Sequence, residues 1–149
     1  MVQMTEIVLP EDTNSEGSIF GGRVLALIDK CAAVVGMRHA RSDVVTISLD
    51  SVTFLNKVSV GNILTLAGRI NAAFGSSMEV EVSVHSEVPR SGERKLTTTA
   101  LVTIVAVDGE GRPHPAPRLV LESEQDRKRA SQAAERRRAR LAARSDHSS

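Results

Sequence analysis

From Val44 onward the hydrophobic period of this chain changes from that of a helix to that of a strand, and it holds to about residue 107. A helix repeats its faces every ~3.6 residues and a strand every ~2. The chain therefore has one early helix to pack against a run of long strands. The end of the segment from 14 to 38 reads as that helix. With Phe20 set at zero and ~100° per residue, Val24, Ile28, Cys31 and Val35 share one quadrant, while Arg23 and Lys30 share a polar edge. Asp29 belongs to neither group. It falls opposite Phe20, among Gly22, Leu25, Ala32, Ala33 and Gly36. A carboxylate cannot stay charged in a dry core without partners. That sector either lines a cavity or an interface, which its small apolar neighbours favour, or is a solvated side.

Residues 2 to 8 read as an edge strand, followed by a loop to about Ser18, and Ser42 and Asp43 mark a turn after the helix. Val45, Ile47, Leu49 and Ser51 alternate with Thr46, Ser48 and Asp50. Val52 and Phe54 then shift the phase, which predicts a bulge in a long strand. Asp50, on the polar side, reads as a solvated strand residue. A second strand is predicted over Asn62 to Phe74. In the third, Met78, Val80, Val82 and Val84 alternate with Glu79, Glu81, Ser83 and His85, giving one buried and one wet face. Residues 95 to 107 form a fourth, apolar on both sides from Ala100 and so central and covered. The short loops favour hairpin-like antiparallel neighbours. The class is α+β: one helix wrapped by four or five strands.

The helix start carries its own chemistry. Asn14, Gly17, Gly21 and Gly22 surround it. Glycine lets backbone approach a ligand closely, and the first helical turn has N–H groups without backbone partners, pointed where the dipole favours negative charge. A side-chain amide, an N–H cluster and a carboxylate two turns later suit an acyl-transfer or hydrolysis site. Gly75, Ser76 and Ser77 are either a plain turn or a hydroxyl and amide lip for a phosphate or pantetheine group.

Composition narrows the alternatives. Three Phe with no Trp or Tyr leave a core of Val, Leu, Ile and Ala and no platforms for base stacking, so nucleic acid is not expected as a partner. The single cysteine, Cys31, excludes an intrachain disulfide and a thiolate zinc cluster and reads as core. His39, His85, His114 and His147 show no ligand spacing, so no metal is expected. A nucleophile elbow, a dinucleotide fingerprint and a phosphate-binding glycine–lysine loop are all missing. No run of 18 apolar residues predicts a membrane span. The N-terminal acids Glu6, Glu11 and Asp12 do not fit a signal segment, and the cytoplasm is the expected location.

Charge is unevenly spread: residues 1 to 121 sum to −2 and residues 122 to 149 to +3. The first span is expected to be the folded domain. The second reads as a basic, partly helical tail on the surface, fraying into disorder by Ser145, with Leu141 as its one larger apolar residue. Arg136, Arg137, Arg138 and Arg140 are either a solvated basic patch or a grip for anions.

The stretch N-S-E-G-S-I-F-G-G-R-V-L-A-L-I-D-K-C-A-A from Asn14 resembles the opening of the hotdog-fold acyl-coenzyme A thioesterases, in their cytosolic acyl-CoA hydrolase branch. The resemblance continues through V-V-T-I-S-L-D-S-V-T-F at 44 to 54, V-G-N at 60 to 62, F-G-S-S-M-E-V at 74 to 80, V-A-V-D-G-E-G-R-P at 105 to 113 and R-R-R-A-R at 136 to 140. It implies a long helix wrapped by a curved antiparallel sheet, homodimers with active sites at their interface, and commonly a trimer of dimers. It implies an enzyme of fatty acid metabolism that hydrolyses fatty acyl-CoA, of medium to long chain, to fatty acid and CoA.

By the same resemblance Asn14 and Asp29, from opposite subunits, are the catalytic pair. Gly21 and Gly22 would offer backbone N–H groups to the oxyanion, with Thr46 and Ser77 supplementary. Coenzyme A, part of the substrate and not a cofactor, would lie against Gly75, Ser76, Ser77, Arg136 and Arg137. The sequence departs from the family's pattern at Leu27, often Trp, Lys57, usually Pro, Asn62, frequently Asp, and Ile104, frequently Phe. A non-catalytic hotdog protein that binds acyl-CoA or scaffolds a partner is the competing class. An enoyl-thioester hydratase would want a histidine that the helix start lacks.

Overall fold

A computed structural model describes residues 1–147. Strand β1 (Val2–Ile7) leads through a 3₁₀ turn (Pro10–Asp12) to helix α1 (Gly21–Ala40). Four strands follow, β2 (Asp43–Phe54), β3 (Ile63–Phe74), β4 (Ser77–Glu87) and β5 (Arg94–Val107), and then helix α2 (Glu124–His147). They form one five-stranded sheet in the order β1-β3-β4-β5-β2, with every neighbouring pair antiparallel. Its inner face packs against α1. This is the hotdog architecture expected from the sequence.

Two of the expected hairpins form, β3 with β4 and β4 with β5. The third does not: β2 pairs with β5 at one edge, and β3 lies beyond β4. Residues 55–62 carry the chain between them, pinned by Val58, which is buried and accepts the Ile19 N–H. The bulge foreseen near Val52 is present. Register slips between Asp50 and Thr53, and Ser51 takes a positive φ of 53°.

The core is aliphatic. Val24, Leu27, Ile28, Cys31, Ala32 and Val35 of α1 meet Leu64, Leu66, Met78, Val80, Val82, Val84, Val102 and Ile104 from the sheet. Helix and sheet approach so closely that a methyl group has no room at Gly68. A Cβ there would lie 2.8 Å from Val35 Cγ2 and 3.0 Å from Cys31 Sγ. Gly68→Ala is expected to destabilise the fold by about 1–3 kcal/mol through overpacking, read as a lowered midpoint in chemical denaturation.

Two expectations fail on the outer face of the sheet. Glu79 was expected on a wet face but is 1% exposed, and the tail expected to fray by Ser145 is helical through His147. The first has a direct cause: α2 lies over this face and sets Arg136 on Glu79. The residues it turns inward are mostly charged. Asp126, Arg129, Ala133, Arg136 and Arg140 recur at spacings of three and four, which puts them on one helical stripe, and of these Ala133 is fully buried. The stripe is matched in charge, with Arg136 on Glu79 and Arg129 on Asp126.

Candidate active site

Asp29 emerges from the middle of α1, half-buried, toward β2. Thr46 of β2 donates its hydroxyl to Asp29 Oδ1 at 2.5 Å. The first strand residues after the helix thus return to the carboxylate presented two turns into it.

The loop before α1 is ordered by Asn14. Its Oδ1 accepts the backbone N–H groups of Glu16 at 2.9 Å and Ser18 at 3.2 Å, and its own N–H donates to the Ser18 carbonyl. The Asn14 amide NH₂ is left to act elsewhere. Phe20 caps α1 without a side-chain bond, and its carbonyl accepts from Arg23 and Val24. The N–H groups of Gly21 and Gly22 have no partner among the described residues. A Cβ on Gly22 would meet nothing within 4 Å, so the protomer itself does not require glycine there.

Asn14 and Asp29 make no hydrogen bond to each other. From the helix start at Gly21 to Asp29 the helix rises about 12 Å. Around them lies an uncovered apolar surface. Phe20, Val45, Ile47, Phe54 and Leu55 are each about half exposed, and β2 is an edge strand with its outer side unpaired. Exposed apolar edge strands are otherwise avoided because they invite pairing. Val45 and Ile47, which alternation put on an apolar side, find no cover within the protomer.

A cavity of about 590 Å³ lies between α2 and the outer face of the sheet. Ser48, Phe74, Ser76 and Ser77 line the sheet side, and Arg137, Arg140 and Arg144 the helix side. Arg137 stacks over the Phe74 ring at 5.1 Å. Of the residues anticipated at a coenzyme lip, Ser76, Ser77 and Arg137 converge here. Gly75 makes the β3–β4 turn at φ 67°, and its carbonyl accepts the Ala116 N–H. Ser77 Oγ bonds the Phe74 carbonyl. Its place in the cavity is remote in sequence from Asp29, and no hydrogen bond joins the two.

Arg136 faces elsewhere. Its Nε and Nη2 donate to Glu79 Oε1 and Oε2 at 2.8 and 2.7 Å, and Asn71 Nδ2 adds a bond to Oε2 at 2.9 Å. Burial pushes the Glu79 carboxyl up, but the bonds from Arg136 and Asn71 outweigh it and hold the group below its usual value. Arg140, one of the arginines singled out by sequence as a possible anion grip, lines this cavity, and Arg144 is the arginine there that sequence did not single out. Its spacing of four from Arg140 was the available signal, for it carries both around the same side of α2. Burial raises the Cys31 thiol, consistent with a core role. Among the described residues no three His, Cys, Asp or Glu groups gather as a metal site, and no helix is long and apolar enough to cross a membrane.

Residues 16–93 match the thioesterase superfamily model. The chain belongs to the thioesterase superfamily. It is 40% identical over 84% of its length to an uncharacterized acyl-CoA thioester hydrolase of Bacillus subtilis, 73% of which is covered. An apo-hexameric acyl-CoA thioesterase superposes with a TM-score of 0.89 at 45% identity, over 94% of this chain and 90% of that one. A Staphylococcus aureus acyl-CoA hydrolase, in complex with butyryl coenzyme A, coenzyme A and coenzyme A disulfide, gives 0.88 at 34% identity, over 99% and 90%. That hydrolase is also known as alanine variants of an aspartate, an asparagine and a threonine. Against the cytosolic acyl coenzyme A thioester hydrolases of mouse, rat and human the chain spans 34% of their length. As a member of this family it is a thioester hydrolase.

Proposed function

We propose that the chain hydrolyses fatty acyl-CoA, of medium to long chain, to fatty acid and CoA at sites shared between two subunits. The observation that carries this is the Asp29 carboxylate, held by Thr46 on a face of small residues beside an uncovered apolar strand edge. Two copies joined along β2 would cover Val45 and Ile47 and bring the Asn14 of one toward the Asp29 of the other. Three such dimers would make a hexamer like those of the related thioesterases.

In the reaction, the thioester carbonyl accepts the free N–H groups of Gly21 and Gly22, whose position at the helix start suits a developing oxyanion. Asn14 orients the water or the carbonyl with its amide. Asp29 takes a proton from water as it attacks, or itself attacks to form an anhydride that water then opens. The carbon–sulfur bond breaks either way, and CoA leaves as the thiol after gaining a proton. Coenzyme A is substrate here, and no separate cofactor enters. The acyl chain follows the apolar surface of Phe20, Phe54 and Leu55. The CoA phosphates meet Arg137, Arg140 and Arg144 across the cavity from Ser76 and Ser77.

The alanine positions known for the Staphylococcus aureus hydrolase add support. Its asparagine lies fifteen positions before its aspartate, and its threonine seventeen after. Asn14, Asp29 and Thr46 have the same two separations. Thiol release from short, medium and long acyl-CoAs tests the reading and gives the chain-length profile. Binding of acyl-CoA without thiol release from any of them would put a non-catalytic hotdog module in its place. Label in the Asp29 carboxylate after a single turnover in heavy-oxygen water marks an anhydride opened by water at the Asp29 carbonyl, since general-base attack puts label in the fatty acid alone.

A further inference from the structure

The inner stripe of α2 is almost devoid of apolar anchors, yet the helix lies on the sheet along much of its length. Ala133 is its one fully buried residue. What joins α2 to the sheet at a defined point is the bidentate bond of Arg136 to Glu79. Glu79 sits in a built socket. It is 1% exposed, on β4 beside the β3 bulge that turns Asn71 beneath the helix, and Asn71 donates to it. Bidentate guanidinium–carboxylate geometry fixes direction as well as distance. A helix held at Arg136 is thereby fixed in both axial position and rotation.

The next residues along are the ones that line the cavity. Arg137 follows directly, and Arg140 and Arg144 lie one and two turns on. A slip of α2 by one residue, or a rotation of ~100°, would carry Arg140 and Arg144 off the cavity and Arg137 off Phe74.

We propose that Glu79 and Arg136 are positioning residues for the substrate's phosphate-bearing end. They set the arginine row of α2 over the cavity and so govern affinity for acyl-CoA without touching it. The proposal rests on the acyl-CoA reading given above. It assigns Arg136 a role different from direct CoA contact and gives buried Glu79 a part in substrate selection.

The test compares acyl-CoA with the matching S-acyl-pantetheine, which lacks the nucleotide and its phosphates. Glu79→Gln is isosteric but uncharged, and Arg136→Lys keeps charge while losing the two-point bond. Both are expected to raise KM for acyl-CoA about tenfold with kcat nearly unchanged, and to leave kcat/KM for acyl-pantetheine as in the wild type. Amide hydrogen exchange in α2 is expected to quicken in both. Arg138→Ala removes one exposed arginine that lines none of the cavity. It is expected to leave KM within about twofold, so that net charge alone does not explain the effect.

Equal losses on the two substrates, or an unchanged KM for acyl-CoA with α2 exchanging freely, would overturn the proposal. Should Glu79→Gln fail to fold, Arg136→Lys carries the same comparison. Wild-type protein that releases no thiol from any acyl-CoA would instead overturn the underlying hydrolase reading, a separate result.

Discussion

Asp29→Ala is expected to lower kcat for acyl-CoA by about 10²- to 10⁴-fold, the usual worth of a positioned acid–base group, with the fold intact. The expectation is specific because Asp29 has little structural work to do. It is half-buried, its one side-chain bond comes from exposed Thr46, and the helix positions that face the core are filled by others. Asn14 offers a less clean comparison. Its Oδ1 holds two backbone N–H groups of the loop before α1, so Asn14→Ala removes a turn as well as an amide. Asp29→Asn refines the test, since it can still accept from Thr46 but can neither take a proton from water nor form an anhydride. Near-complete loss with normal acyl-CoA binding and an unchanged assembly is the expected pattern. Wild-type turnover in Asp29→Ala would remove the carboxylate from the chemistry altogether.

How Asp29 was legible from sequence, and how Glu79 was not, has a physical explanation. Asp29 is out of place by the ordinary helical rule, because a carboxylate stands among Gly22, Leu25, Ala32 and Ala33 where a uniform face is expected. A single violation of pattern is visible in one sequence. Glu79 violates nothing. Alternation along β4 makes a polar residue at 79 look solvated, and its burial depends on a helix 45 or more positions later in the chain. That helix was itself judged a surface element because hydrophobic periodicity detects apolar faces only. When a stripe and the surface under it are matched by charge, as Arg136 and Glu79 are, the period is present in the charges and hydrophobicity is blind to it. The β2 partner was missed for a related reason. Loop length speaks for hairpins, whereas β2 pairs with β5 and leaves its other side unpaired.

Arg136→Met is expected to cost about 3–5 kcal/mol of stability, the range for stranding one partner of a buried ion pair. The loss falls on Glu79, which is 1% exposed and would keep a single donor, Asn71 Nδ2. Lifting of α2 would readmit water and bring the cost toward the lower end of that range. The pH dependence distinguishes this cause from simple lost packing. In the wild type the folded Glu79 pKa is depressed: burial opposes ionisation, but hydrogen bonds from Arg136 and Asn71 and the charges of Arg136 and Arg140 win. The folded state therefore binds fewer protons than the unfolded one across the carboxylate range. The contribution is fully present above the unfolded value near ~4.3 and is lost as pH falls through the lower folded value. In Arg136→Met the burial effect is left dominant and the folded pKa is expected to rise instead. Stability from this group is then greatest at acid pH and declines as pH climbs through the raised value. The gap between wild type and variant should accordingly be widest near neutrality and narrow in acid, read from urea midpoints at several pH values. Glu79→Leu combined with Arg136→Met should recover most of the loss, because no charge is left buried without a partner. A gap independent of pH would mean that Arg136 acts through packing of its stem and not through the carboxylate beneath it.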